Sequence, residues 1–170
     1  EHRGENLLKF VENYRKLTRL PKPEFEIVPV KPLLERTIPL FESEQQQNSI
    51  RFTSSVKPAS LNITADHNLV EQVLINLIKN AVDAVHGIKD PEIEISAGIN
   101  DLGRTLIRVR DNGPGIESEV IPKLFIPFFT TKPKGSGIGL SLSRQIMRLH
   151  GGNLTVQSRP GISTVFTLIF

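Results

Sequence analysis

Gly135-Ser136-Gly137-Ile138-Gly139-Leu140 sets three glycines at alternate positions ahead of an amphipathic stretch, Ile138 to His150. Glycines spaced this way let a backbone turn tightly and approach a ligand with no Cβ in between. At a helix start they also leave free N–H groups and the positive end of the helix dipole facing any neighbour. An anion such as a nucleotide phosphate is the natural occupant. Upstream, Asp111-Asn112-Gly113-Pro114-Gly115-Ile116 follows the largely apolar stretch Leu106 to Val109. One such loop alone could be a plain turn. Two of them, separated by an aromatic-rich segment and preceded by an asparagine-bearing helix, form an ordered constellation.

Working outward, Asp66 to Val85 reads as a long helix. Asn76, Asn80 and Asp83 are four and three apart and so share one face, which Gln72 extends. Solvated helix faces favour Glu, Lys and Arg, whereas Asn costs about half a kcal/mol against Ala in a helix. A carboxamide donates and accepts at once, and its oxygen suits a hard cation such as Mg²⁺. Two Asn on one stripe therefore indicate a face that meets a ligand. Asp111 stands where a strand stops. It can accept from an exocyclic amine, or it can close an Asx turn with Asn112-Gly113; at the level of residues both readings are open. Leu124-Phe125-Ile126-Pro127-Phe128-Phe129-Thr130-Thr131-Lys132 anchors aromatics at the base of a proline- and glycine-rich loop over residues 117–136, as a lid would. Lys132 and Lys134 can meet phosphate as point charges or be solvated loop lysines.

The remaining segments supply the frame. Phe25 to Val30 is a short strand, and Pro32 to about Gln47 a helix. Ser49 to Val56 and Leu61 to Ala65 are two strands joined through Lys57-Pro58. Glu92 to Ala97 pairs with Thr105 to Arg110 through the turn Asn100-Asp101-Leu102-Gly103, and Asn153 to Gln157 with Thr164 to Phe170 close as a hairpin. Strands and helices alternate, but hairpins are frequent. An α/β (α+β) two-layer sandwich fits this order, with a mixed sheet covered by helices on one face. Leu7, Phe10, Val11, Tyr14 and Leu17 draw an apolar stripe on a helix over residues 5–20, stopped by Pro21 and Pro23. The stripe packs either on its own domain or on a partner helix of a dimeric bundle.

The 170 residues suffice for one domain with a short appendage. No run approaches the roughly 18 apolar residues of a membrane helix. Without cysteine there are no disulfides or thiolate metal sites, which is compatible with a reducing cytosol. The net charge of +3 is mild, and no nucleic-acid-binding motif or interleaving of aromatic and basic residues accompanies it.

In order, the asparagine helix, Asp111 to Gly115, Phe125 to Lys132 and Gly135 to Leu140 resemble the N, G1, F and G2 boxes of bacterial sensor histidine kinases. Leu149-His150-Gly151-Gly152 and Gly161 to Phe166 resemble that family's closing strand pair, and Phe128-Phe129-Thr130-Thr131-Lys132-Pro133 is similar to its nitrogen-regulation type. The resemblance covers residues 24–170. It implies the Bergerat fold of the superfamily of gyrase, Hsp90 and MutL, a mixed five-stranded sheet under about three helices. Residues 1–23 would then be the end of the second dimerisation helix and a linker.

The resemblance further implies that ATP with Mg²⁺ is bound, Asn80 being the metal ligand and Asn76 lying nearby. Asp111 would read the adenine amino group, with Gly113, Gly115 and Ile116 shaping the base pocket. Gly135, Gly137, Ile138, Gly139 and Leu140 would present backbone to phosphate. Thr130, Thr131, Lys132 and Ser136 would line the lid, and Asp83 and Thr164 complete the nucleotide site. Two positions depart from related patterns. Asp83 stands where many histidine kinases have a basic residue, and Asn76 where hydrolytic relatives have a water-activating glutamate. An amide is no base at neutral pH, so attack by water should be slow.

None of His2, His67, His86 and His150 sits in a phosphoacceptor box. The expectation is thus a cytoplasmic catalytic fragment of a longer protein, homodimeric and with membrane anchoring left open. Its γ-phosphoryl group would pass to a histidine on the parent's dimerisation domain and then to a response regulator. A protein-serine kinase of anti-sigma type, or a nucleotide-sensing scaffold without transfer, are the alternatives.

Overall fold

A computed structural model of the chain describes residues 11–12, 14–15, 18–133 and 135–170. Of the expected N-terminal stripe, Leu7, Phe10 and Leu17 lie outside the described residues, as does Lys134. Val11 and Tyr14 are helical and exposed, at 43% and 53%.

Strand β1 (Glu26–Pro29) leads into helix α1 (Val30–Thr37), a 3-10 turn (Ile38–Phe41) and helix α2 (Glu42–Gln47). Then come β2 (Arg51–Val56), β3 (Asn62–Ala65), helix α3 (His67–Val85), β4 (Glu92–Ile99), β5 (Thr105–Asp111), a 3-10 turn (Ile121–Lys123), helix α4 (Gly139–Leu149), β6 (Asn153–Arg159) and β7 (Ser163–Ile169). The expected single helix from Pro32 to Gln47 is interrupted because Pro39 sits in its middle. Proline has no N–H to give to the helix ladder and its ring crowds the preceding turn. The chain passes through the 3-10 turn and restarts at Glu42.

The main sheet has the order β2-β4-β5-β7-β6, with β2 parallel to β4 and every other neighbour antiparallel. The two strands on either side of Lys57-Pro58 do not neighbour each other. Lys57 N–H still donates to the Ala97 carbonyl at 3.0 Å, which holds β2 along β4 to its end. β3 instead pairs antiparallel with β1 in a separate two-stranded sheet.

Alternation decides the layers. Ile93, Ile95 and Ala97 of β4, Ile107 and Val109 of β5, and Phe166 and Leu168 of β7 are buried. Side chains between them on β4 and β7 are half-buried, and Arg108 and Arg110 of β5 are exposed. Period-2 alternation of this kind gives a sheet one covered face. Nine buried apolar residues of α3, with Ile146 and Met147 of α4 and Leu33 and Leu34 of α1, cover it. Asp66 starts α3: its Oδ1 accepts from the N–H groups of Asn68 and Leu69 at 3.0 and 3.1 Å, an N-cap worth about 1 kcal/mol.

This architecture places the polar edge of α3 against the start of α4, and puts the end of the central strand β5 beside the last turn of α3.

Candidate functional site

The α4 start is built on Asn76. The Asn76 Nδ2 donates to Ser143 Oγ at 3.0 Å, which fixes the carboxamide and turns its oxygen toward Gly139. A Cβ on Gly139 would overlap that oxygen, so only glycine lets the two helices meet here. Among the described residues no side chain caps α4, and its first helical bond runs from Leu142 N–H to the Ile138 carbonyl. The N–H groups of the first turn therefore remain for an anion. Gln72, Asn76, Ser136, Ile138, Gly139, Leu142, Ser143 and Ile146 line a cavity of about 180 Å³ at this point. None of these residues is a carboxylate or a histidine, so none can act as general base.

One turn further along α3, Asn80 and Asp83 hold a cation. Lys132 Nζ donates to Asn80 Oδ1 at 2.9 Å and to Asp83 Oδ2 at 2.8 Å. Both side chains of the ion pair are nearly half exposed, so its own stabilisation is small. Hard divalent cations take oxygen ligands. Two oxygens that already converge on an ammonium fit a Mg²⁺ ion. Among the described residues no group of three His, Cys, Asp or Glu side chains offers a separate metal centre.

Asp111 ends β5 opposite Ile93 and Thr164, and is 3% exposed. It does close the Asx turn, one oxygen accepting from Gly113 N–H at 2.9 Å; its second oxygen takes no donor from the described residues. Burial pushes its pKa up to about 6, against the Gly113 bond and the charges of Arg110 and Lys132. Gly113 passes so close to α3 that an added Cβ would stand 2.8 Å from the Ala84 carbonyl oxygen. Across the loop, the Pro114 carbonyl accepts from Gly161 N–H at 2.6 Å and Gly115 lies against the Arg159 backbone. Ile116 N–H donates to Ser158 Oγ at 2.8 Å. Ser158 gives its own proton to the Ser163 carbonyl, which leaves Thr164 as the donor to Ser158 Oγ at 2.9 Å. The buried Thr164 hydroxyl is thus committed within the protein.

The segment between the two glycine loops is tied at both ends. Phe125 lies under Arg144 of α4, with the guanidinium carbon 3.4 Å from the ring centroid. Arg144 Nε is buried with no hydrogen-bond partner among the described residues. Phe128 N–H donates to the Gly137 carbonyl at 2.8 Å, and Lys132 N–H to Thr130 Oγ1 at 3.0 Å. Gly135 N–H donates to the Lys132 carbonyl at 3.1 Å. Thr131 and Ser136 are exposed, whereas Ile138 is 3% exposed and Leu140 packs partly into the core; both of these can offer only backbone to a ligand.

Ser143 and Arg144 were not among the residues expected from sequence. Ser143 is one turn beyond Gly139, and that spacing was a readable signal; the other buried serine of the helix, Ser141, is spent on its own backbone, donating to the Ile138 carbonyl at 2.8 Å. Nothing local announced Arg144, because its partner Phe125 comes from another element.

Residues 65–170 match the family model of histidine kinase-, DNA gyrase B-, and HSP90-like ATPases. The chain is 33% identical over 165 residues to the signal transduction histidine-protein kinase AtoS of Escherichia coli (strain K12), an alignment covering 97% of the chain and 27% of AtoS. It spans about a third or less of the length of the first curated relatives it matches. Among solved structures, the catalytic domain of histidine kinase ThkA superposes with a TM-score of 0.77 at 32% identity, covering 86% of this chain and 95% of that one. ThkA in complex with response regulator protein TrrA gives 0.81 at 28% identity, over 99% and 48%. The chain belongs to the histidine kinase-, DNA gyrase B-, and HSP90-like ATPase family, and within it to the ATP-binding catalytic domains of histidine kinases.

Proposed function

We propose that residues 24–170 bind ATP with Mg²⁺ and transfer the γ-phosphoryl group to a histidine on the dimerisation domain of a longer homodimeric protein, for relay to a response regulator. Residues 1–23 belong to the second dimerisation helix and its linker in this reading, and the reaction takes place in the cytoplasm, where ATP is. The observation that carries it is the uncapped start of α4 against the carboxamide face of α3. It combines free backbone donors with oxygen donors for a metal.

Each residue then has a task. Asn80 would hold Mg²⁺, which supplies charge neutralisation between the phosphates. The first-turn N–H groups of α4, with Ser136 and Gly137, receive phosphate oxygens, and the Gly135 N–H, given to the Lys132 carbonyl at 3.1 Å, joins them when Lys132 moves. Lys132 leaves Asn80 and Asp83 to follow the phosphate charge. The free oxygen of Asp111 accepts from the adenine amino group. Transfer breaks the bond between the γ-phosphorus and the β–γ bridging oxygen, and forms a bond from phosphorus to an imidazole nitrogen, with ADP leaving. With no base lining the cavity, water competes poorly for the same phosphorus.

Labelled ATP mixed with the chain alone should give slow hydrolysis and little self-labelling. Adding a dimerisation domain that bears a histidine box should yield an acid-labile, base-stable label on that domain. Transfer in trans will be weak, because tethering normally raises the effective concentration. Acid-stable label instead would make the acceptor Ser, Thr or Tyr and replace this reading by a protein-serine kinase.

A further inference from the structure

Asn80 and Asp83 are three residues apart on α3, near neighbours on one helix face, and their oxygens share one cation. That cation arrives from the loop, 52 and 49 residues along the chain, so nothing local forces the three groups together. Removing the Lys132 ammonium leaves a carboxylate and a carboxamide oxygen aimed at the same point. Such a pair is a cation cradle, and a carboxylate in it repels a polyphosphate unless a cation stands between.

Resting on the nucleotide reading above, we infer that Asp83 is a second cation ligand beside Asn80, filled by Lys132 in the resting chain and by the metal of the incoming metal–nucleotide. Asp83 is in this way the residue that makes the site select metal-loaded over metal-free nucleotide. Lys132 is the counter-ion that keeps the cradle neutral until exchange, and after it follows the phosphate charge. Both side chains are half exposed, so the exchange needs no rearrangement of the core.

The test compares the unaltered chain with Asp83→Asn and Lys132→Gln, each checked for folding by circular dichroism. Calorimetry with a non-hydrolysable ATP analogue, in Mg²⁺ and in chelator, gives the ratio of metal-loaded to metal-free affinity. Asp83→Asn should lower that ratio about tenfold, the lower end for a charge-assisted contact because the pair is half exposed. In a second measurement, Mn²⁺ alone is titrated and followed by electron paramagnetic resonance. Lys132→Gln should bind Mn²⁺ several-fold more tightly than the unaltered chain, and adding Asp83→Asn should cancel the gain. An unchanged affinity ratio in Asp83→Asn, or no Mn²⁺ gain in Lys132→Gln, overturns the role of Asp83 while leaving nucleotide binding intact. An unaltered chain that binds no analogue at all overturns the nucleotide reading, and this inference with it.

Discussion

Asp111 carries a conflict between folding and binding within one side chain. Burial holds its pKa near 6, against 3.8 for the exposed residue. The folded chain therefore keeps this proton at pH values where the unfolded chain has lost it, and stability falls as pH rises from about 4 to 6. Two pKa units are worth about 3 kcal/mol at most. Asp111→Asn keeps an acceptor for Gly113 N–H and removes the buried charge. The variant should be about 1 to 2 kcal/mol more stable than the parent at pH 8, and the difference should shrink toward pH 5; urea titrations at both values check it. If the free oxygen reads the adenine amino group, the parent should prefer ATP to GTP and the variant should lose most of that preference, because a site built for a donor leaves both groups unpaired when a carbonyl arrives. Competition binding with the two nucleotides measures this. From sequence, the Asx turn and the base-reading role were equal alternatives; the turn is formed, and it occupies only one of the two oxygens.

At the scale of elements, what was legible in sequence was whatever depends on local pattern. Alternation in Glu92 to Ala97 and in Thr105 to Arg110 marked a hairpin that is present, and Asp66 marked the start of α3. What was not legible depends on distant partners. The sequence joins β2 and β3 through Lys57-Pro58 without naming the partner of either, and the choice of β4 and β1 is made by packing across the domain. The Lys132 ion pair and the Asn76–Ser143 bond likewise join residues tens of positions apart, so both lysine readings stayed open until the fold was known. The contact between α3 and α4 gives the sharpest test at this scale. Gly139→Ala should gain at most about 0.5 to 1 kcal/mol from helix propensity, the full figure belonging to a helix interior and not to the first residue of α4. The new methyl overlaps the Asn76 carboxamide, however, and overpacking of that kind costs about 1 to 3 kcal/mol. The clash should win, lowering both the melting temperature and the affinity for Mg-ATP. A variant that melts higher than the parent would mean that α4 is free to move off Asn76.

For the whole molecule, the question is where the folding unit begins. Of the described residues before Pro21, Val11 and Tyr14 are exposed, and Leu20 packs partly against the core, whose buried members begin at Val28. The first tight attachments come slightly later. Glu24 N–H donates to Asp66 Oδ2 at 3.0 Å, and the Phe25 ring meets the His150 ring edge-on at 5.3 Å. His150 is itself a junction, its Nδ1 bonded to the Ile146 carbonyl at 2.8 Å and its Nε2 accepting from Asp66 N–H at 3.0 Å. The segment just before β1 is thereby tied to the start of α3 and to the end of α4 at once, the two helices that make the site. A chain cut to residues 19–170 should keep the melting temperature of the parent within a degree or two, and its nucleotide affinity. A chain cut to residues 26–170 loses both attachments, a charge-assisted hydrogen bond and an aromatic edge contact. It should be about 1.5 to 3 kcal/mol less stable. Thermal unfolding of the two truncations separates these outcomes. Equal stability of the 26–170 and 19–170 chains would show that residues 19–25 are a passive tether, whereas a drop on removing them makes them part of the folding unit and a route by which movement of the preceding residues reaches α3.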